Sequence, residues 1–185
     1  MSEKKNFRKQ FWKDKKTVGS MTPSSRFLTQ KMLENIDFNS SKVFVELGPG
    51  TGVFTEEIVS RMDKNAVLLV FEINDSFYTD LKSRFHDERV HLIHDSAEKI
   101  EDYLHQFELD KADVVISSLP LAIFPPDLRE NILEAAEKSL KSEGKYIQFQ
   151  YSLQAKSSLK KLYNNVKITF TPFNFPPAFV YTCVK

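Results

Sequence analysis

Glu46, Gly48, Gly50 and Gly52 stand at alternate positions directly after the apolar run Val43-Phe44-Val45. An acid followed by three spaced glycines suits a backbone that turns sharply and lets a ligand approach with no Cβ in the way. The run before them reads as a parallel strand buried on both faces. After them, Val53, Phe54, Ile58 and Met62 repeat at helical spacing. The free N–H groups at such a helix start favour an anionic group. A dinucleotide fingerprint needs its third glycine three residues after the second, and Val53 occupies that place.

Two further acids stand at comparable points. Glu72 ends the apolar run Ala66–Phe71, twenty residues beyond Gly52. An acid at the tip of a second strand can accept from both hydroxyls of a ribose. Asp95-Ser96-Ala97 follows Val90–His94, a third strand. His91 and His94 are three apart on that strand, so they face opposite ways and do not chelate one metal. No metal site is expected.

The elements that position these residues alternate along the chain. A helix is expected from Thr22, as N-cap before Pro23, to about Asn35, with Phe27, Met32, Leu33 and Ile36 packing. Asp75 is the expected cap of a helix with Phe77, Leu81 and Phe85 at four-residue spacing. A fourth strand, Ala112 to Ser117, runs into the loop Ser118-Leu119-Pro120-Leu121. Pro125-Pro126-Asp127 then opens a helix with Leu128, Ile132, Ala136 and Leu140 on one face, and Gly144 is its expected stop. A fifth strand at Tyr146–Tyr151 is followed by a short helix with Leu153, Leu159 and Leu162. Val166–Phe170 and Phe179–Val184 close the chain. The alternation predicts an α/β fold: a doubly wound, Rossmann-like seven-stranded sheet, mostly parallel with an antiparallel C-terminal strand, helices on both faces.

At 185 residues the chain is expected to hold one main domain, residues 22–185, behind a basic segment at 1–21. Hydrophobic content of 41% with 28% charged residues is ordinary for a globular protein. The single cysteine, Cys183, excludes an intramolecular disulfide and is expected to pack. No apolar run approaches the ~20 residues of a membrane helix, and no secretory signal is apparent, so a cytoplasmic protein is expected. Residues 1–16 hold seven basic and two acidic side chains, a surplus of five, which leaves the rest of the chain acidic under a net charge of +1. A short helix is expected over residues 4–16, in which Phe7, Phe11 and Trp12 would share one side and basic residues fill the rest. That pattern fits an anionic membrane surface, a nucleic-acid arm, or a tail whose aromatics dock on the domain.

The Glu46-x-Gly-x-Gly-x-Gly order resembles the first motif of class I S-adenosylmethionine-dependent methyltransferases. The resemblance implies S-adenosyl-L-methionine as cofactor. It implies contacts at Glu46, Gly48, Gly50, Thr51, Gly52, Glu72, Ile73, Asp95, Ser96, Ala97 and Ser117, with Asp95 at the adenine amine. Relatives that methylate base amines, ribosomal RNA adenine dimethylases among them, carry Asn or Asp and then a Tyr or Phe in the fourth-strand loop. Here Ser118 and Leu121 hold those places.

The chain is similar, more closely, to soluble bacterial phosphatidylethanolamine N-methyltransferases. Thr22-Pro23-Ser24-Ser25-Arg26, Ser117–Leu121 with Phe124-Pro125-Pro126, and Asn174-Phe175-Pro176-Pro177-Ala178 carry that likeness. It implies N-methylation of a phospholipid headgroup amine at the membrane surface, with RNA adenine methylation as the alternative. Leu119, Pro120 and Leu121 are the expected substrate contacts. Ser118 is expected to orient the amine, and Tyr151 to take its proton or bind it as a cation. A cofactor-binding protein without turnover is the third reading, and the oligomeric state stays open.

Overall fold

The computed structural model describes residues 25–185. The basic segment at 4–16 and the Thr22-Pro23 start signal lie outside the described residues. Seven strands form one sheet: β1 (Val43–Leu47), β2 (Val67–Phe71), β3 (Val90–Ile93), β4 (Ala112–Ser117), β5 (Leu140–Gln150), β6 (Asn165–Thr171) and β7 (Ala178–Val184). Their spatial order is β3-β2-β1-β4-β5-β7-β6. All neighbours run parallel except at β7, which is antiparallel to both β5 and β6.

Among the described residues six helices cover the sheet: α1 (Arg26–Leu33), α2 (Val53–Arg61), α3 (Asp75–Arg84), α4 (Ile100–Gln106), α5 (Pro126–Ser139) and α6 (Lys156–Leu162). Alternate residues of each strand point to opposite faces. Val43, Val45 and Leu47 of β1 face the core shared with α4, α5 and α6. Phe44 faces the core shared with α1 and α2. Both faces are therefore dry, which is why these strands read as unbroken apolar runs.

The sheet order places the ligand edge. From β1 the chain winds outward through β2 and β3, then returns to β4 on the other side of β1. The connections leaving β1 and β4 diverge, and a crevice opens beyond the carboxyl ends of the two strands. Leu47 and Ser117 are partners at that edge.

Several boundaries differ from the sequence reading. Ser25 is the N-cap of α1, its side chain accepting from the Leu28 amide, and the helix ends at Leu33. Phe27 is exposed rather than packed. Asn74, not Asp75, caps α3, its Oδ1 accepting from the Ser76 and Phe77 amides at 3.0 and 3.1 Å. Helix α5 stops at Ser139, because buried Leu140 takes an extended conformation and pairs with Ala112. Gly144 is not a stop; the left-handed residue nearby is Glu143, at φ 62°. A Cβ on Gly144 would meet the Lys141 carbonyl oxygen at 2.9 Å, so close backbone approach accounts for it. Leu153 precedes α6 and is exposed. Cys183 is buried in β7.

No described helix is long and apolar enough to cross a membrane. Among the described residues no group of three or more His, Cys, Asp or Glu could hold a metal.

The first described turn is tied to the far end of the chain. Buried Asn174 accepts from the Ser25 amide at 3.0 Å and donates to the Pro176 carbonyl at 2.8 Å. Asn174→Ala removes both bonds and leaves partners unpaired, at a cost of about 1–3 kcal/mol. Urea unfolding should show this loss with an unchanged m-value; a variant as stable as the parent would mean that water replaces the tie.

Candidate functional site

The glycine turn occupies the carboxyl end of β1. Gly48, Gly50 and Gly52 all take positive φ, at 68°, 56° and 81°. Gly52 is the N-cap of α2 and has no room for a side chain: a Cβ would meet Leu81 Cδ2 at 2.8 Å. A Cβ on Gly48 would meet Leu119 Cδ2 at 2.7 Å. Gly50 has no atom within 4 Å of where its Cβ would be. The middle of the turn is thus open, while its two ends are clamped.

Glu46 lies beneath this turn, fully buried, facing α2. Its Oε2 accepts from Thr55 Oγ1 at 2.7 Å, and its Oε1 is buried without a partner among the described residues. Desolvation, the largest effect, pushes its carboxyl up to about 8; the Thr55 bond opposes this and the Glu72 charge adds to it. Glu72 is also buried. Its Oε1 accepts from the Asn74 amide at 2.7 Å and its Oε2 from the Gly50 amide at 3.4 Å. Burial raises its carboxyl above the usual range despite those bonds. Each oxygen of Glu72 keeps a second lone pair, enough to accept from a diol.

Asp95 is engaged more fully. Its Oδ2 takes Lys99 Nζ at 2.7 Å and the Tyr103 hydroxyl at 3.1 Å, and its Oδ1 takes the Ser96 amide at 2.7 Å. Burial alone would raise its carboxyl, but the Lys99 bond and these donors hold it below the usual range. Ser96 caps the short turn Ala97–Lys99, and Ala97 is core. The Ile73 carbonyl faces His94 Nε2 at 3.2 Å. Thr51 offers its carbonyl to Arg84 Nη1 at 2.8 Å. Arg84 also pairs with Glu56 of α2, so it straps the turn to two helices. Sequence reading did not single it out, because a separation of 33 positions between Thr51 and Arg84 hides the contact.

The loop after β4 completes the edge. The Ser118 amide donates to the Leu47 carbonyl at 2.9 Å, and the buried Ser118 Oγ has no partner among the described residues. Ser117 Oγ accepts from the Leu119 amide at 3.3 Å. The Leu119 carbonyl accepts from Gln148 Nε2 at 3.1 Å and from Gln150 Nε2 at 2.9 Å. Both glutamines are buried in β5. The sequence reading passed over them; two polar residues at alternate positions of an apolar strand were the available signal. Pro120 is partly exposed, but Leu121 is 0% exposed and belongs to the core. Tyr151, just past β5, is partly exposed, its ring 5.7 Å from Phe149 and edge-on to it.

Of the residues marked in the sequence, Glu46, the three glycines, Thr51, Glu72, Ser117 and Ser118 converge at the β1–β4 crevice. Ile73, Asp95 and Ser96 flank it at the tips of β2 and β3. Ala97 and Leu121 turn into the core. A buried carboxyl oxygen without a partner, under a turn with open space at Gly50, is a site prepared for a ligand that brings a polar group.

The elevated Glu46 carboxyl has a consequence for stability. The folded chain keeps a proton that the unfolded chain releases above about 4.5, so stability falls as pH rises from there toward about 8. Glu46→Gln mimics the protonated form and removes that slope. Each pH unit over which only the folded chain holds the proton is worth about 1.4 kcal/mol. Relative to the parent, the variant should therefore gain at least about 1 kcal/mol between pH 5 and pH 8 in urea unfolding. A difference independent of pH would show that Glu46 ionises normally.

A model of the ribosomal RNA adenine dimethylase family matches residues 3–135. The ornithine lipid N-methyltransferase of Singulisphaera acidiphila is 28% identical over 175 residues, covering 94% of this chain and 91% of that protein. Ribosomal RNA small subunit methyltransferase A of Mycoplasma capricolum is 32% identical over 115 residues, but these span 60% of this chain and 41% of that protein. PigF, solved with SAH, shares the fold at TM-score 0.64 and 13% identity, over 86% of this chain and 55% of that one. With the glycine turn, its flanking acids and this sheet order, the chain belongs to the ribosomal RNA adenine dimethylase family and is an S-adenosylmethionine-dependent methyltransferase.

Proposed function

We propose that the acceptor is the primary amine of a phospholipid headgroup, phosphatidylethanolamine in the first instance, methylated at a membrane surface that residues 4–16 help to bind. The burial of Leu121 carries this reading. Base methyltransferases are expected to hold an aromatic ring there to stack on the flipped base, a contact worth ~1–3 kcal/mol. Leu121 has neither a π face nor exposed surface. The likeness to an ornithine lipid N-methyltransferase over nearly the full length of both chains supports a lipid amine.

S-adenosylmethionine supplies an electrophilic sulfonium methyl. Glu46 and the glycine turn would receive its amino-acid end, Glu72 its ribose, and Asp95 with Ser96 its base. The headgroup amine arrives as an ammonium and must give its extra proton to solvent before it reacts; its lone pair then forms the new N–C bond as the methyl's C–S bond breaks and S-adenosylhomocysteine leaves. Ser118 Oγ, buried and without a partner among the described residues, can accept from that N–H and aim the lone pair at the methyl. Of the carbonyls in its loop, that of Leu119 is taken by the two glutamines and that of Pro120 by the Ile123 amide, which leaves the Ser118 residue itself to orient the amine.

Burial raises the Tyr151 phenol, with a bond to Asn174 opposing it. A raised phenol is a poor base at neutral pH, which favours the ring face as a seat for the incoming ammonium. Tyr151→Phe should then keep most activity, whereas Tyr151→Ala and Ser118→Ala each lower kcat by about tenfold, in the range of a cation–π or hydrogen-bond contact. A Tyr151→Phe variant as inactive as Tyr151→Ala would restore the hydroxyl as the working group.

The acceptor itself is tested by S-adenosylhomocysteine formation on vesicles of phosphatidylethanolamine with anionic lipid, and in parallel on ribosomal RNA. Turnover on vesicles alone is expected. Turnover on RNA alone would overturn the reading.

A further inference from the structure

The edge that carries the glycine turn also carries exposed apolar side chains. Ile123 follows β4, Leu153 follows β5, and Phe173 and Phe175 follow β6. These three strands run parallel, so all four residues lie beyond the same edge of the sheet. Phe27, in the first turn of α1, reaches the same place, its ring 5.3 Å from that of Phe173. Phe173 is 69% and Phe175 85% exposed.

These rings do not sit on a loose loop. Asn174 between them is buried, bonded to the Ser25 amide and the Pro176 carbonyl. Ser25 Oγ donates to the Phe173 carbonyl at 3.0 Å. The polar groups of the 172–177 loop point inward and its two phenylalanines point out. A fixed cluster of exposed apolar side chains at a site mouth marks a docking surface.

Charge says what docks. From Gly144 to Lys185 the chain has six lysines and no acid. Lys156, Lys160, Lys161 and Lys167 are exposed and enter none of the ion pairs among the described residues. Lys156 opens α6, just after the edge. The surplus of five positive charges in residues 1–16 is joined covalently to this loop's partner, Ser25. Exposed apolar side chains beside Lys156, whose amide donates to the Leu153 carbonyl at 3.1 Å, on a C-terminal stretch with a surplus of unpaired lysines, suit an anionic bilayer, where rings enter the headgroup region and lysines meet phosphates. Exposed phenylalanines alone would also suit single-stranded RNA. Ile123 and Leu153 have no π face to stack on a base, and a bilayer rewards all five side chains.

We propose that the 172–177 loop, with Phe27, Ile123 and Leu153 around it, is a wedge that inserts Phe173 and Phe175 into the surface of an anionic bilayer and seats the site mouth on the lipid. The choice of a bilayer rests on the lipid reading above. The test uses the full chain and vesicles of phosphatidylcholine and phosphatidylglycerol, which contain no methylatable amine. In flotation, the parent protein should bind, and the Phe173→Ser/Phe175→Ser double variant should bind roughly tenfold or more weakly. Equal affinity of both for S-adenosylhomocysteine shows that the fold is kept.

Equal flotation of the two proteins, or a parent that stays off the vesicles, overturns the wedge. So does a double variant that loses self-association or RNA binding while its flotation is unchanged, which would assign the surface to a second copy or to RNA. Because binding is read without an acceptor, a protein that floats through these rings yet methylates no lipid amine keeps its wedge and loses only the lipid acceptor.

Discussion

The Leu119 peptide is the point on which the crevice depends. Its carbonyl is held by two buried amides of β5, and its side chain closes over Gly48 where no Cβ could stand. One contact therefore joins β5, the loop after β4 and the turn after β1. The Leu121 amide donates to the same carbonyl at 2.9 Å, so three donors from two elements hold it and the loop has little freedom to wander. Ser118, one residue earlier and bonded to the Leu47 carbonyl, inherits this rigidity. Gln148 is itself fixed by the Tyr146 hydroxyl at 2.7 Å. The two glutamines within the otherwise apolar second half of β5, from Tyr146 to Gln150, hold the neighbouring loop.

The same edge concentrates unfavourable electrostatics. Burial raises both carboxyls, Glu46 and Glu72, the Glu72 charge adds to the rise at Glu46, and one oxygen of Glu46 has no partner among the described residues. Such a group is costly in a folded chain unless a ligand completes it. Arg84, outside the crevice, holds the turn from its solvent side through Thr51 and Glu56. The turn is thus strapped from outside and left polar and incomplete from inside, an arrangement suited to a ligand with an amino-acid end.

Much of the fold was legible because both faces of the sheet are covered. Strands buried on two sides are mostly apolar, so Val43–Leu47, Val67–Phe71 and Ala112–Ser117 announce themselves. The helix boundaries were less legible. Asn74 and Asp75 are both good caps, and only backbone conformation chooses between them. Leu140 continues the apolar stripe of α5 at helical spacing, yet it pairs with Ala112 as strand, since burial against the sheet outweighs helix propensity. Phe27 falls in a helix but faces outward against Phe173, a partner 146 positions away that no local pattern reveals.

The glycine spacing and the two strand-end acids were enough to read the cofactor class, because backbone conformation and carboxyl chemistry at a strand end are local properties. The contacts that shape the rest of this edge are not local. Leu119 with Gln148 and Gln150, Thr51 with Arg84, and Ser25 with Asn174 lie about 30 to 150 residues apart in the chain. Leu121, whose type marked a departure from base methyltransferases, became informative only when the packed core showed its side chain turned inward. Hydrogen bonds and buried contacts of that separation depend on how the sheet is ordered, and the folded chain alone brings them together.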